Sequence, residues 1–144
     1  MTFSVFLAVL LYLAPTLSRE ISNEEKENGR MKFFVTHYEE CKHLISEENY
    51  EMLLDGIYIR NDETRYYIVC VFKAWEWMVN SEINAEKIIR DIQEILERKF
   101  TLHESAALTM ICNLCKREAE LQETDVPRVG RFLDCAVDRI QNDM

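Results

Sequence analysis

The sequence predicts an all-α protein, a compact bundle of about six helices. Three observations point that way. Glycine occurs three times and proline twice in 144 residues, so few positions interrupt regular structure. The long segments between them are rich in Glu, Lys, Leu, Ile and Met, which favour helix. Apolar residues recur at spacings of three and four, and no short alternating runs bounded by turn residues appear.

The first helix is expected from about Ser22 to Leu44, with Met31, Phe34, Val35, Tyr38 and Cys41 on its apolar face. A second starts at Ser46, an N-cap followed by Glu47 and Glu48, whose charges suit the positive end of the helix dipole. Gly56 is placed to stop it. Asp62 or Thr64 caps a third helix expected to run through Met78. From Tyr66 to Val79 only Lys73 and Glu76 are charged, so this helix has to be buried on most sides. Asn84 opens a fourth, to about Leu96, with Ile88, Ile89, Ile92 and Ile95 inward. Thr101 and Glu104 form a capping-box pattern for a fifth, to about Ala119. Pro127 sits in the first turn of a sixth, where proline is tolerated, and Phe132, Leu133, Ala136, Val137 and Ile140 give its apolar face.

Ahead of these helices, Phe3 to Ala14 is an apolar run without a charge, interrupted only by Ser4 and followed by Pro15 and the small residues Thr16 and Ser18 before Arg19. That is the pattern of a secretory leader, residues 1–18, cut after Ser18. The run is too short to span a bilayer, so no membrane insertion is expected after cleavage. Residues 19–144 then form one domain large enough for a real core. They keep the whole net charge of −9, because the leader holds no charged side chain. Seventeen basic against 26 acidic residues, with no Lys/Arg cluster, argue against nucleic acid or an anionic membrane as the partner. No ordered Ser/His/Asp set and no phosphate loop is present, so enzymatic chemistry is not expected. Paired acids such as Glu24 and Glu25, or Glu39 and Glu40, read as solvated faces.

The most specific signal is a ladder of cysteines, Cys41, Cys70, Cys115 and Cys135, with an extra Cys112. Tyr66 stands three intervening residues before Cys70, and Val126 stands eight before Cys135. The text from Cys70 to Lys73, from Glu82 to Lys87, and from Asp125 to Cys135 adds to the pattern. The whole resembles the insect pheromone- and general odorant-binding proteins, which carry six cysteines. The second and fifth would be replaced here by Tyr66 and Val126, as in the minus-C branch of that family. The resemblance implies helices closed around an apolar cavity and bridges from Cys41 to Cys70 and from Cys115 to Cys135, each tying two helices. In the loop-entropy model such bridges contribute about 3 to 4 kcal/mol apiece. Tyr66 and Val126 are then expected to meet as a packed pair.

Cys112 and Cys115 compete for one place in that pattern. Cys112 leaves 41 residues after Cys70 and Cys115 leaves 44; the ten residues between Cys115 and Val126 favour Cys115. As a Cys-x-x-Cys, the two are weak evidence for redox chemistry, because the pair sits inside a helical pattern rather than after a strand. Zinc is no better supported, since His37, His43 and His103 show no paired ligand spacing. These histidines read as partly exposed helical residues rather than as pH sensors. No metal or cofactor is expected.

The resemblance implies a secreted carrier that takes a small hydrophobic ligand and serves a membrane chemoreceptor. By position around the cysteines it assigns Ile68 and Phe72, then Leu108, Thr109, Ile111 and Cys112, then Leu133 and Ala136, to the ligand site. Helical periodicity adds Phe34, Tyr38, Trp75, Ile89 and Ile92. Taken singly, each of these reads more readily as ordinary core, and only the family resemblance lifts the set above that. The competing reading is a helical messenger or venom protein that engages a receptor through its surface.

Overall fold

The structure, a computed structural model, describes residues 23–142 apart from Tyr58 and Arg98. The expected leader and its cleavage site lie outside the described residues, as do the side chains of Val137 and Ile140. Among the described residues seven α-helices follow in order: α1 (Asn23–Val35), α2 (Tyr38–Cys41), α3 (Glu47–Leu54), α4 (Asp62–Ala74), α5 (Ala85–Ile95), α6 (Leu102–Glu120) and α7 (Asp125–Asn142). A 3-10 turn, Lys42–Leu44, extends α2, and a two-stranded ribbon, β1 (Met78–Val79) and β2 (Glu82–Ile83), separates α4 from α5.

The expected first helix is broken in two at Thr36 and His37. Two carbonyls in its last turn are taken by side chains from α4 and its C-cap: the Trp75 indole donates to Phe33 O at 3.0 Å and the Tyr67 hydroxyl to Phe34 O at 3.2 Å. Thr36 completes the break by returning its hydroxyl to Lys32 O at 2.6 Å. The break also turns the buried face. Phe33, absent from the expected stripe, is fully buried with Phe34, whereas Met31 and Val35 are exposed. Arg30 Nε donates to Leu54 O at 2.8 Å, supplying a cationic donor to the carbonyl end of α3.

Helix α3 ends as the sequence suggests. Gly56 has φ 85°, its N–H bonds Leu53 O, and Ile57 N–H bonds Met52 O, a Schellman motif. Helix α4 stops four residues before the expected Met78 by the same device, but with Glu76 in the left-handed position at φ 61°. Glu76 N–H bonds Lys73 O, Trp77 N–H bonds Phe72 O, and the Trp77 ring meets Phe72 edge-on at 5.3 Å. The chain then reverses through Asn80 and Ser81, both at positive φ, as a two-residue hairpin loop requires. Asn61, rather than Asp62 or Thr64, caps α4, accepting from Thr64 N at 2.9 Å. The Ser46, Asn84 and Thr101–Glu104 caps form as expected.

Both bridges are present, Cys41–Cys70 joining α2 to α4 and Cys115–Cys135 joining α6 to α7, with Cα separations of 5.8 and 5.4 Å. Cys112 is a buried free thiol. The core runs continuously from Phe33 and Phe34 through α4 and α5 to α6 and α7. At its centre the Trp77 indole donates to buried Asp91 at 2.9 Å, and Lys87 closes over the same carboxylate at 2.7 Å, so the buried charge is paired.

Candidate functional site

The apolar faces of α1, α4, α5, α6 and α7 converge because each carries its bulky residues at helical spacing and the two bridges hold the helices in register. Phe34, Ile68, Phe72, Ile92, Leu108, Ile111, Cys112, Leu133 and Ala136 all lie in this common buried cluster. Tyr38, Trp75 and Ile89 are half-buried against it. Thr109 is not brought in. It faces outward and returns its hydroxyl to Ser105 O at 2.7 Å. Periodicity alone would have separated it from Leu108 and Ile111, which lie on the inner side of the same helix.

Packing inside the cluster is close. Phe72 meets Phe33, Trp77 and Phe132, each edge-on, with ring centroids 5.3 to 6.4 Å apart. A void of about 10 Å³ remains on the α4–α7 seam, where Ile68 and Val69 face Val126, Val129 and Leu133. Burial pushes the Cys112 thiol up to about 12, so it is protonated and inert at neutral pH. Burial also raises Tyr67, aided by the neighbouring Tyr50 and Tyr38 hydroxyls.

Outside that seam lies an open groove of about 900 Å³, and its walls share Val69 and Val126 with the inner void. Tyr66, Val69, Cys70 and Val126 form its apolar part. Tyr66 is 53% exposed. The two positions expected to meet as a packed pair therefore border an opening instead of filling it. At the other end Lys73 Nζ reaches Asp125 Oδ2 at 2.7 Å, and Arg128 clamps the Gln122 and Ser81 carbonyls at 2.6 and 2.7 Å. Hydrogen bonds from Lys73 and Ser81 hold the Asp125 carboxyl below its usual range.

Sequence reasoning flagged Tyr66 and Val126 only as replaced cysteines and missed the rest of the groove. Leu44, Ser81, Glu123 and Thr124 come from three separate connections, and no helical period links them. The hairpin had a signal, Asn80-Ser81 with Met78-Val79 before it and Ile83 after it, just past the expected end of the third helix at Met78.

Among the described residues, the cysteine–acid grouping close enough for a metal is Cys115, Glu118 and Cys135. Its two sulfurs are joined to each other, and Glu118 pairs with Arg131 at 3.2 Å. No described helix is long and apolar enough to cross a membrane. A family model described as the PBP/GOBP family matches residues 23–138. No curated protein and no solved structure matches the chain.

Proposed function

Because the chain belongs to the PBP/GOBP family, the insect pheromone- and odorant-binding proteins, we propose that it is a secreted carrier. It takes up a small hydrophobic molecule reversibly and moves it through aqueous fluid to a membrane chemoreceptor. The leader, residues 1–18, directs export, and the chemistry is binding alone. The observation that carries this reading is the span of the family match, which includes both bridges and every helix contributing to the apolar cluster.

The ligand sits among Phe34, Ile68, Phe72, Ile92, Leu108 and Leu133. It gains entry by parting α4 from α7 along Ile68 and Leu133, beside the small void. Affinity comes from apolar area removed from water, about 25 cal/mol per Å² before the costs of ordering.

An apolar fluorescent probe should bind at roughly micromolar strength. Long-chain alcohols, esters or fatty acids should displace it. Phe72→Asp, which buries an unpaired charge in the cluster, should weaken uptake at least tenfold in protein whose helix content is retained. Unchanged uptake would remove Phe72 from the site. Native mass spectrometry adds a check on the class of function, since a messenger acting through its surface should carry no co-purified lipid.

A further inference from the structure

Of the serines and threonines among the described residues, only Ser46 has a carboxylate two residues further on, in the run Ser46-Glu47-Glu48. At that spacing Ser81 and Ser105 are followed by Ile83 and Ala107. Ser46 is exposed, and the backbone reaches it extended, with φ −137° and ψ 144° at Ile45 and φ −72° and ψ 154° at Ser46 itself. Protein kinases that select acidic substrates hold such a carboxylate in a basic pocket beside the acceptor hydroxyl.

The same hydroxyl has a structural task. Ser46 Oγ donates to Glu63 Oε1 at 2.7 Å, Ser46 N–H reaches that oxygen at 3.1 Å, and the Asn49 side-chain amide is a third donor to it. Glu63 stands in the first turn of α4, so these bonds fasten the start of α3 to the start of α4. They also hold the Glu63 carboxyl below its usual range, which keeps it ionised at neutral pH.

We propose that Ser46 is a phosphorylation site for an acid-directed kinase, and that its phosphate releases α3 from α4. Ser46 Oγ takes the γ-phosphoryl group of a nucleoside triphosphate. The bond from that phosphorus to the bridging oxygen breaks, the diphosphate leaves, and the hydroxyl proton passes to the kinase's carboxylate base. Phosphoserine carries about two negative charges and offers acceptors where the hydroxyl offered a donor. Glu63 then faces a like charge at hydrogen-bond range and turns from partner to opponent. Lys42, the closest lysine or arginine in sequence, is already held by Glu39 at 2.6 Å. The cap itself survives, because Asn49 N–H, 3.3 Å from Ser46 Oγ, and the positive end of the α3 dipole both favour an anion there. Helix α3 brings Tyr50 and Leu53 to the core, so the modification loosens one wall of the apolar cluster. The proposal draws on the carrier reading only for the chain's passage along the export route, where such a kinase would meet it.

The purified protein, incubated with ATP and an acid-directed serine kinase, should gain a phosphoryl group that peptide mapping places on Ser46. Glu48→Gln should abolish this labelling, and Glu47→Gln should leave it. Urea midpoints read the release of α3. Glu63→Gln should lower the midpoint of the unmodified protein and raise that of the phosphorylated protein, because the new amide can donate to the phosphate. Labelling that spares Ser46, or that persists in Glu48→Gln, would overturn the site. A midpoint lowered by Glu63→Gln in both forms would overturn the release of α3. Uptake of the apolar probe by unmodified protein is scored separately, so the carrier reading can fail while the modification stands, and the reverse.

Discussion

At the scale of single residues, the structure depends on a few groups whose roles their type alone does not announce. Glu76 holds a left-handed backbone position that costs a non-glycine residue about 1 kcal/mol, because only that turn lets Trp77 fold back onto Phe72. Glu76→Gly should therefore stabilise the protein by about 0.5 to 1 kcal/mol, read as a higher urea midpoint at unchanged slope. A lower midpoint would mean that the Glu76 side chain makes a compensating contribution. Phe33 and Phe34 show why the buried face of α1 was only half legible. Their carbonyls are satisfied by Trp75 and Tyr67, more than thirty residues away in sequence, so the break that rotates the face has a tertiary cause. The identities of Ile68, Phe72, Leu108 and Leu133 as inner residues were readable, because they sit near cysteines that fix the register.

At the scale of elements, capping chemistry was legible wherever it was local. Ser46, Gly56, Asn84 and the Thr101–Glu104 box each act within about one helical turn. The ends of α1 and α4 were not: α1 stops where Trp75 and Tyr67 bond its carbonyls from across the core, and α4 stops at a local turn whose left-handed residue is Glu76 rather than glycine. The α4–α7 pair is the element contact most open to test. Tyr66 and Val126 border one groove on facing helices. Tyr66→Cys combined with Val126→Cys should oxidise spontaneously and close a loop of about 60 residues, worth about 4 kcal/mol in the entropy model. Tyr66 is 53% exposed, so loss of its ring offsets little of that gain. The bridged variant should melt higher and release the fluorescent probe more slowly than the unaltered protein. A double variant that stays reduced under mild oxidant, with its fold intact, would show that the two positions are not neighbours.

At the scale of the whole molecule, acid should loosen the frame before it unfolds the core. Glu63 on α4 accepts from Ser46 and Asn49 at the start of α3, and Asp125 on α7 accepts from Lys73 on α4 and from Ser81 at the hairpin. Hydrogen bonding lowers both carboxyl groups from their ordinary values. A lowered folded value means that each contributes stability above its unfolded value, near pH 4, and loses it as pH falls through the folded value. The urea midpoint should drop between about pH 5 and pH 3. Glu63→Gln with Asp125→Asn should flatten that drop, and an equally steep loss in the double variant would assign acid sensitivity to other groups.

The two bridges also set an order of events in time. Cys41–Cys70 closes one stretch of chain and Cys115–Cys135 another, and the two stretches do not overlap. As the polypeptide emerges from its amino end, the first bridge can form once Cys70 is exposed, before any other cysteine exists to compete with it. Cys112 arrives when Cys41 and Cys70 are already consumed, so the mistakes left to it are confined to Cys115 and Cys135. Nothing has to be threaded through a loop already closed. Between the two closed stretches, the chain from Val71 to Leu114 has no covalent tie of its own. That interval holds the hairpin and α5, which are therefore held in place by side-chain packing alone.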